Sequence, residues 1–166
     1  MHRRSFLQNS GLLSAGLVFN KVAAFGSSAD FPVVRTPLDA RNFTSKAVEK
    51  AITTFKAGVK NKELAWLFEN SFPNTLDTTV FHEVKAGVPD TYVITGDTDA
   101  MWLRDSSAQV WPYLQFMKQD KPLQDLVAGV INRQTFCVLK DPYANAFYND
   151  ENNWWQVSLT GRPPAF

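Results

Sequence analysis

The sequence TGDTDAMWLRD, residues 95–105, holds three carboxylates, one guanidinium and one indole. We call this segment the acidic stretch. Burying an ionised carboxylate costs several kcal/mol unless it is paired or hydrogen-bonded. A chain that places three of them around Met101, Trp102 and Leu103 therefore has either a ligand to bind or a structural ion pair to form. The predicted helices and strands on either side of the stretch indicate the fold in which it lies.

Before the acidic stretch, apolar residues at helical spacing predict two helices joined by a short loop. The first is capped by Thr44 or Ser45 and ends near Gly58, and the second is capped by Asn61 and ends before Pro73. The apolar face of the second consists of Leu64, Ala65, Leu67 and Phe68. Two β-branched and aromatic runs, residues 78–84 and 91–95, then predict a short hairpin or a pair of extended segments that leads into the stretch.

After the acidic stretch, two more helices are predicted. The third begins at Asp105 or Ser106, and Pro112 should kink it or confine it. Its apolar face would contain Val110, Trp111, Leu114 and Met117. The fourth begins at Pro122 and keeps the helical period through Ile131 to Val138, before a loop over residues 143–153. The pattern as a whole predicts a mainly α fold with a short β-hairpin.

The first 29 residues predict an export signal. Arg3 and Arg4 are followed by Ser5-Phe6-Leu7 and an uncharged run, an order that resembles a twin-arginine signal read by the twin-arginine translocation machinery. The apolar part, residues 11–19, is far shorter than the ~20 residues of a membrane-spanning helix. We therefore predict a signal over residues 1–29, a proline-containing linker over 30–43, a folded part over 44–166, and a periplasmic or extracellular location.

Composition excludes several function classes. The chain has 17 Lys and Arg, three of them in the first 29 residues, against 16 Asp and Glu, none of them there, so the remainder carries a net charge of −2. This balance offers no basic footprint for nucleic acid. The single cysteine, Cys137, permits no internal disulfide and is expected to be an inert core thiol. His82 has no second histidine nearby and is expected to be structural.

Residue chemistry alone leaves two interpretations of the acidic stretch open. Arg104 and Asp105 offer fixed donors and acceptors of the kind that a vicinal diol of a sugar requires, and Trp102 offers a flat apolar face. Alternatively, Arg104 pairs with Asp97 or Asp99 and ties the loop to the following helix. The Asp-x-Asp pair is also found at divalent-cation sites, but it is a weak signal and no nucleotide-binding pattern accompanies it.

Four motifs in order resemble glycoside hydrolase family 125. They occupy residues 72–79, 95–106, 109–113 and 143–147, within a match that runs from about Phe68 to Asp150. The resemblance implies an exo-acting, metal-independent and inverting α-1,6-mannosidase on an (α/α)6 barrel, which needs no cofactor and takes mannose-containing oligosaccharides. It also implies sugar contact by the candidate site residues Asp97, Asp99, Trp102, Arg104 and Asp105.

The chain also departs from the family pattern. The resemblance places the general acid in a motif after the Asn-Ala-Phe segment and the general base much further on, and residues 154–166 show no such motif. Twelve barrel helices need roughly 200 residues or more. We therefore expect an incomplete barrel, an N-terminal portion that is inactive alone and contains neither catalytic carboxylate.

A competing hypothesis is an exported, non-catalytic carbohydrate-binding module. Its stacking platforms would be Trp102, Trp111, Trp154 and Trp155. Modules of this kind are usually β-sandwiches, so the proportion of helix to strand discriminates between the two hypotheses.

Overall fold

A computed structural model describes residues 31–96 and 99–149. The described part contains helices α1 (Lys46–Gly58), α2 (Lys62–Ser71), α3 (Leu103–Val110) and α4 (Lys121–Lys140), and strands β1 (Val80–Lys85) and β2 (Val88–Val93). A 3-10 turn (Leu38–Ala40), a π-helix (Thr75–Thr79) and a 3-10 helix (Trp111–Gln119) complete it. The predicted mainly α fold with one β-hairpin is confirmed. The predicted signal, residues 1–29, lies outside the described residues, within which no helix has the length and apolarity needed to cross a bilayer.

The first two helices begin and end where local capping chemistry predicts. The Ser45 side chain accepts from the Val48 amide at 3.2 Å, and the Asn61 side chain accepts from the Leu64 amide at 3.0 Å. Each cap satisfies one of the amides that a helix N-terminus leaves without an intrahelical partner. The helices pack together through Phe55 and Phe68, whose ring centroids lie 4.1 Å apart.

The predicted inward face of α2 is wrong in part, because Leu64 and Leu67 are exposed. They line an open groove of about 590 Å³, bounded on its other side by Pro112 and Tyr113. Helical spacing correctly identifies these residues as one apolar face. Phe68 of the same face packs on Phe55 and Phe72, whereas Leu64 and Leu67 stay exposed, so spacing alone does not tell which residues of the face are buried.

The segment before the hairpin is helical rather than extended. Thr78 and Thr79 were predicted to be in a strand, but they end the π-helix, where their hydroxyls donate to the carbonyls of Asn74 and Thr75 at 2.8 and 2.9 Å. A threonine hydroxyl that donates to the carbonyl four residues earlier favours helical backbone and counteracts the preference of threonine for strands. Strands β1 and β2 then pair antiparallel from Val80↔Val93 to Lys85↔Val88.

Helix α3 begins at Leu103, two or three residues before the predicted start at Asp105 or Ser106, and ends at Val110. The predicted effect of Pro112 is confirmed, because the chain continues as the 3-10 helix Trp111–Gln119. Trp111 is 72% exposed and does not share the buried face of Val110 and Tyr113. The tighter turn of the 3-10 helix changes the angular spacing of side chains, which a single α-helical period does not anticipate.

Asp120 connects the N-termini of α1 and α4. Its Oδ2 accepts from the Ser45 hydroxyl at 2.7 Å and from the Ala47 amide at 3.1 Å, while its Oδ1 accepts from the Leu123 amide at 3.1 Å. Burial acts to raise the pKa of the Asp120 carboxyl, but these hydrogen bonds outweigh burial and lower it from its usual range. One buried carboxylate therefore caps two helices.

Helix α4 packs on β2 at what we call the hairpin–α4 contact. A Cβ on Gly129 would lie 2.3 Å from Thr91 Oγ1, so only glycine permits this approach. The Thr91 hydroxyl donates to the Leu126 carbonyl at 2.8 Å. Arg133 binds Asp90 through Nε at 2.7 Å and through a second nitrogen at 2.5 Å. The core beneath it combines residues of α1, both strands and α4: Val48, Ile52, Val80, Tyr92, Val93, Leu123, Leu126 and Val130.

Ile131 and Val138, predicted on the apolar face of α4, are exposed on its outer side. The helix has apolar residues on more than one face, and the hairpin covers only one of them. Cys137 is buried, and burial raises the pKa of its thiol to about 11, as expected of an unreactive core cysteine. His82 Nδ1 lies 2.8 Å from Thr91 Oγ1, which gives it a structural partner.

Candidate functional site

Thr95, at the start of the acidic stretch, is hydrogen-bonded to its later described residues. The Thr95 amide donates to the Ala100 carbonyl at 2.9 Å, and the Thr95 hydroxyl donates to the same carbonyl at 3.1 Å. The hydroxyl oxygen also accepts from the Trp102 amide at 2.9 Å. Thr95 is 2% exposed, so these bonds form away from water. They fix both ends of the segment that contains Asp99.

The loop is joined to the motif at residues 143–147. Met101 and Phe147 exchange two backbone hydrogen bonds, of 2.8 and 3.0 Å, in an antiparallel bridge. The Tyr92 hydroxyl donates to the Phe147 carbonyl at 3.0 Å. Burial raises the pKa of Tyr92, and the nearby carboxylate of Asp99 adds to the increase. Residues 101 and 147, 46 positions apart in the chain, are therefore joined in one structural unit.

A small cluster lies next to this bridge. Ala100 and Ala146 are buried against each other, and Trp102 and Tyr148 pack on them. Small side chains let the two backbones approach closely. The arrangement leaves the indole of Trp102 half-buried, held on one side and accessible on the other.

The described charged residues of the stretch reach solvent to different extents. Arg104 has a side chain that is 91% exposed, and the ion pair described for it is with its neighbour Asp105, at 3.2 Å from Nε to Oδ1. Asp105 lies in the first turn of α3, where the helix dipole favours a carboxylate. Asp99 is exposed, and Asp97 lies outside the described residues.

Gln134 of α4 holds the first turn of α3 in place. Its Nε2 lies 3.0 Å from the Leu103 carbonyl and 2.9 Å from each of the Ser106 and Ser107 hydroxyls. The start of α3 is thus fixed from α4 on one side and from Thr95 on the other. Arg104, which is exposed, and Asp105, which is half-exposed, lie in this hydrogen-bonded first turn.

The geometry brings together Asp99, Trp102, Arg104 and Asp105 on one short segment. Among the described residues, the exposed guanidinium of Arg104 pairs with its neighbour Asp105 and not with Asp99. The five donors of a guanidinium and the oxygens of a neighbouring carboxylate suit hydroxyl-rich ligands. Within residues 31–96 and 99–149, no group of three or more His, Cys, Asp and Glu side chains is placed to hold a metal ion.

Comparison with known proteins identifies the family. The model of a family described as metal-independent alpha-mannosidase (GH125) matches residues 61–161, more than half of the chain. The chain belongs to glycoside hydrolase family 125. The match includes the acidic stretch and the 143–147 motif, which the fold joins through the Met101–Phe147 bridge.

Two relatives illustrate the similarity. One is a Streptococcus pneumoniae structure from a family of metal-independent alpha mannosidases, described as a non-productive substrate complex with alpha-1,6-mannobiose. Its sequence identity to this chain is 41% and its TM-score is 0.57. The match covers 69% of this chain and 26% of that one. The meiotically up-regulated gene 157 protein of Schizosaccharomyces pombe is 45% identical over 117 residues, which are 70% of this chain and 23% of the relative. The chain therefore spans about a quarter of the length of each.

Sequence reasoning did not find the residues that hold the site together. Thr95 was predicted at the end of a β-rich run and the start of the acidic stretch, Tyr92 in the same run and Gln134 in the fourth helix, but none was predicted to support the site. The one signal for the Met101–Phe147 bridge was the resemblance, which placed both segments among the family motifs. Trp111, considered as a stacking platform, is exposed, while Trp154 and Trp155 lie outside the described residues.

Proposed function

We propose that this chain is the N-terminal portion of an exo-acting, inverting α-1,6-mannosidase that removes mannose from glycans. The observation that carries the proposal is the family match over residues 61–161. The alpha-1,6-mannobiose in the Streptococcus pneumoniae complex supports the linkage. The mainly helical fold counts against the competing carbohydrate-binding module, for which a β-sandwich was expected.

We assign the acidic stretch to holding the terminal sugar. Arg104 and Asp105 would bind adjacent hydroxyls, Trp102 would pack on the C–H face of the ring, and Asp99, with Asp97, would supply further acceptors. Each charge-assisted hydrogen bond is worth roughly 1.5–3 kcal/mol when shielded from water. Holding the ring in one orientation is a catalytic contribution in itself, because it lowers the entropic cost of reaching the transition state.

We place the general acid and general base outside residues 1–166. An inverting glycosidase needs two carboxyl groups roughly 6.5–9.5 Å apart on opposite faces of the sugar. Asp99 and Asp105 belong to one exposed segment, and this geometry suits contact with one edge of a ring. The chain alone should therefore bind weakly and release no mannose.

The same reasoning gives the finer proposal for the fold, namely that α1–α4 are the first helices of an (α/α)6 barrel. The exposed Leu64 and Leu67, and the outer side of α4 with Ile131, Val138 and Leu139, are apolar surfaces that further helices would cover. On this basis the chain alone should bind an apolar dye such as ANS, and a longer protein that includes the remaining helices should bind less of it.

Binding is tested by titrating α-1,6-mannobiose into the chain and following amide shifts by NMR. Arg104→Ala and Asp105→Asn should each weaken binding by at least about tenfold, because each removes charge-assisted bonds to the ligand. Lys121→Ala and Asp125→Asn, which alter another exposed ion pair far along the chain, serve as matched controls and should leave binding unchanged. Equal affinity in all four variants would contradict the proposed site.

Activity is tested by comparing the chain with a longer protein that continues through any reading frame following Phe166. Only the longer protein should release mannose, and the first product should be the β-anomer, since inversion reverses the configuration of an α-linkage. Turnover by the chain itself, or an α-configured first product, would contradict the assignment.

We further propose that the protein is exported by the twin-arginine route. The support is the order Arg3-Arg4-Ser5-Phe6-Leu7 ahead of an uncharged run. Fusing residues 1–43 to a reporter should direct it across the membrane, and replacing Arg3 and Arg4 with lysine should retain it in the cytoplasm. Export that survives the double substitution would indicate a different route.

A further inference from the structure

We propose that Thr95 is a positioning residue for the sugar site, a role that rests on the proposed function. Its hydroxyl is buried and bonded on both sides: it donates to the Ala100 carbonyl and accepts from the Trp102 amide. Its two partners, Ala100 and Trp102, lie five and seven residues further along the acidic stretch. The hydroxyl sets where the peptide of Trp102 lies.

The position of Trp102 determines the position of the residues after it. Trp102 is the residue that precedes the first turn of α3, and its carbonyl accepts from the Ser106 amide at 2.9 Å. Arg104 and Asp105 are therefore two and three residues beyond the peptide that Thr95 holds. A shift of that peptide would move the indole face and the charged pair together.

The Ala100 carbonyl keeps a partner without the hydroxyl, because the Thr95 amide also donates to it at 2.9 Å. Among the described residues, the hydrogen-bond partner of the Trp102 amide is the Thr95 hydroxyl. Thr95→Val keeps the shape of the side chain but leaves this amide unpaired, which favours a rearrangement that restores a hydrogen bond with water. Thr95→Ser keeps the hydroxyl and should restore the geometry.

Thr91 offers a matched control on the same strand. It is also fully buried, and its hydroxyl also donates to a carbonyl, that of Leu126, at 2.8 Å. That carbonyl belongs to α4 rather than to the acidic stretch. Thr91→Val should therefore reproduce the general loss of a buried hydroxyl while leaving the loop intact.

The experiment measures two properties of the unmodified chain and the Thr95→Val, Thr95→Ser, Thr91→Val and Arg104→Ala variants. The first is hydrogen exchange at the Trp102 amide, which should be at least about tenfold faster in Thr95→Val alone. The second is affinity for α-1,6-mannobiose, which should fall by about tenfold in Thr95→Val and stay within about twofold in Thr95→Ser and Thr91→Val.

The outcomes separate the two proposals. If Arg104→Ala weakens binding but Thr95→Val binds as Thr91→Val does, the positioning role is overturned and the proposed function stands. Unchanged exchange at Trp102 in Thr95→Val would also overturn the positioning role. If the unmodified chain shows no saturable binding, or Arg104→Ala binds normally, the sugar site itself is wrong and the role of Thr95 in it falls as well.

Discussion

The hairpin–α4 contact and the acidic stretch lie near opposite ends of β2, and each contains an arginine–aspartate pair. At the hairpin–α4 contact, Arg133 is 4% exposed and makes two bonds to an aspartate 43 residues away. In the acidic stretch, Arg104 is almost fully exposed and makes one longer bond to the adjacent residue. The first pair is satisfied internally and holds two elements together. The second keeps most of its donors and acceptors available.

The largest effect should follow from breaking the buried pair. Arg133→Ala would leave Asp90 with Lys85 as its remaining cationic partner, at 3.0 Å, and would remove packing against the Tyr92 ring. Removing one partner of a buried pair typically costs 3–5 kcal/mol, and the remaining lysine should hold the loss near about 3 kcal/mol. The free energy of unfolding from urea denaturation gives the value.

Arg104→Ala is the matched control for this change, because it removes the same side chain from the exposed pair. It should alter the free energy of unfolding by less than about 0.5 kcal/mol. Similar losses in the two variants would contradict the distinction between a pair that stabilises the fold and a pair that is free to bind a ligand.

A second, smaller loss of stability should follow from disturbing the close approach of α4 to β2 at the hairpin–α4 contact. Gly129→Ala would place a methyl group 2.3 Å from Thr91 Oγ1 and 2.9 Å from the backbone of Asp90. The strain should cost about 1–2 kcal/mol after the better helix propensity of alanine is included. Gly58→Ala, where the added methyl meets nothing within 4 Å, is the control and should be neutral or stabilising in the same thermal unfolding assay.

The features of the molecule differ in how far the sequence predicts them. Helix ends were predicted well where the determinant is local, as with the Ser45 and Asn61 caps and with Pro112. The exposure of Leu64 was not predicted, because spacing identifies an apolar face but not the residues that cover it. Residue types predicted that Arg104 and Asp105 are binding groups, and this stays a prediction. The Thr95 hydrogen bonds depend on how the chain folds back on itself, and the periodicity of the sequence does not predict them.

Asp120 differs from both aspartates of the arginine pairs, because it is a buried carboxylate that hydrogen bonds stabilise without an arginine. Asp120→Asn should cost about 1–2 kcal/mol at neutral pH, since an amide cannot accept on both sides as the carboxylate does. The folded-state pKa of Asp120 is lowered, so its contribution is complete above the unfolded pKa near 4 and is lost as the pH falls through the folded value.

The stability difference between the unmodified chain and Asp120→Asn should therefore be constant from about pH 5 to pH 8 and should shrink below about pH 4. Urea denaturation at a series of pH values measures it. A difference that persists undiminished at about pH 2 would mean that packing, rather than the charge, accounts for the effect of the substitution.

The smallest effect on stability should come from Arg104→Gln, and it decides most about function. The side chain contacts little besides Asp105, so the free energy of unfolding should stay within about 0.5 kcal/mol of the unmodified value. Glutamine keeps hydrogen-bonding capacity but loses the charge and the paired donors, so affinity for α-1,6-mannobiose should still fall. We propose that this side chain binds a ligand, since it follows directly on the Trp102 peptide that Thr95 holds. Unchanged affinity in Arg104→Gln would remove that explanation and leave the exposed charge without a role.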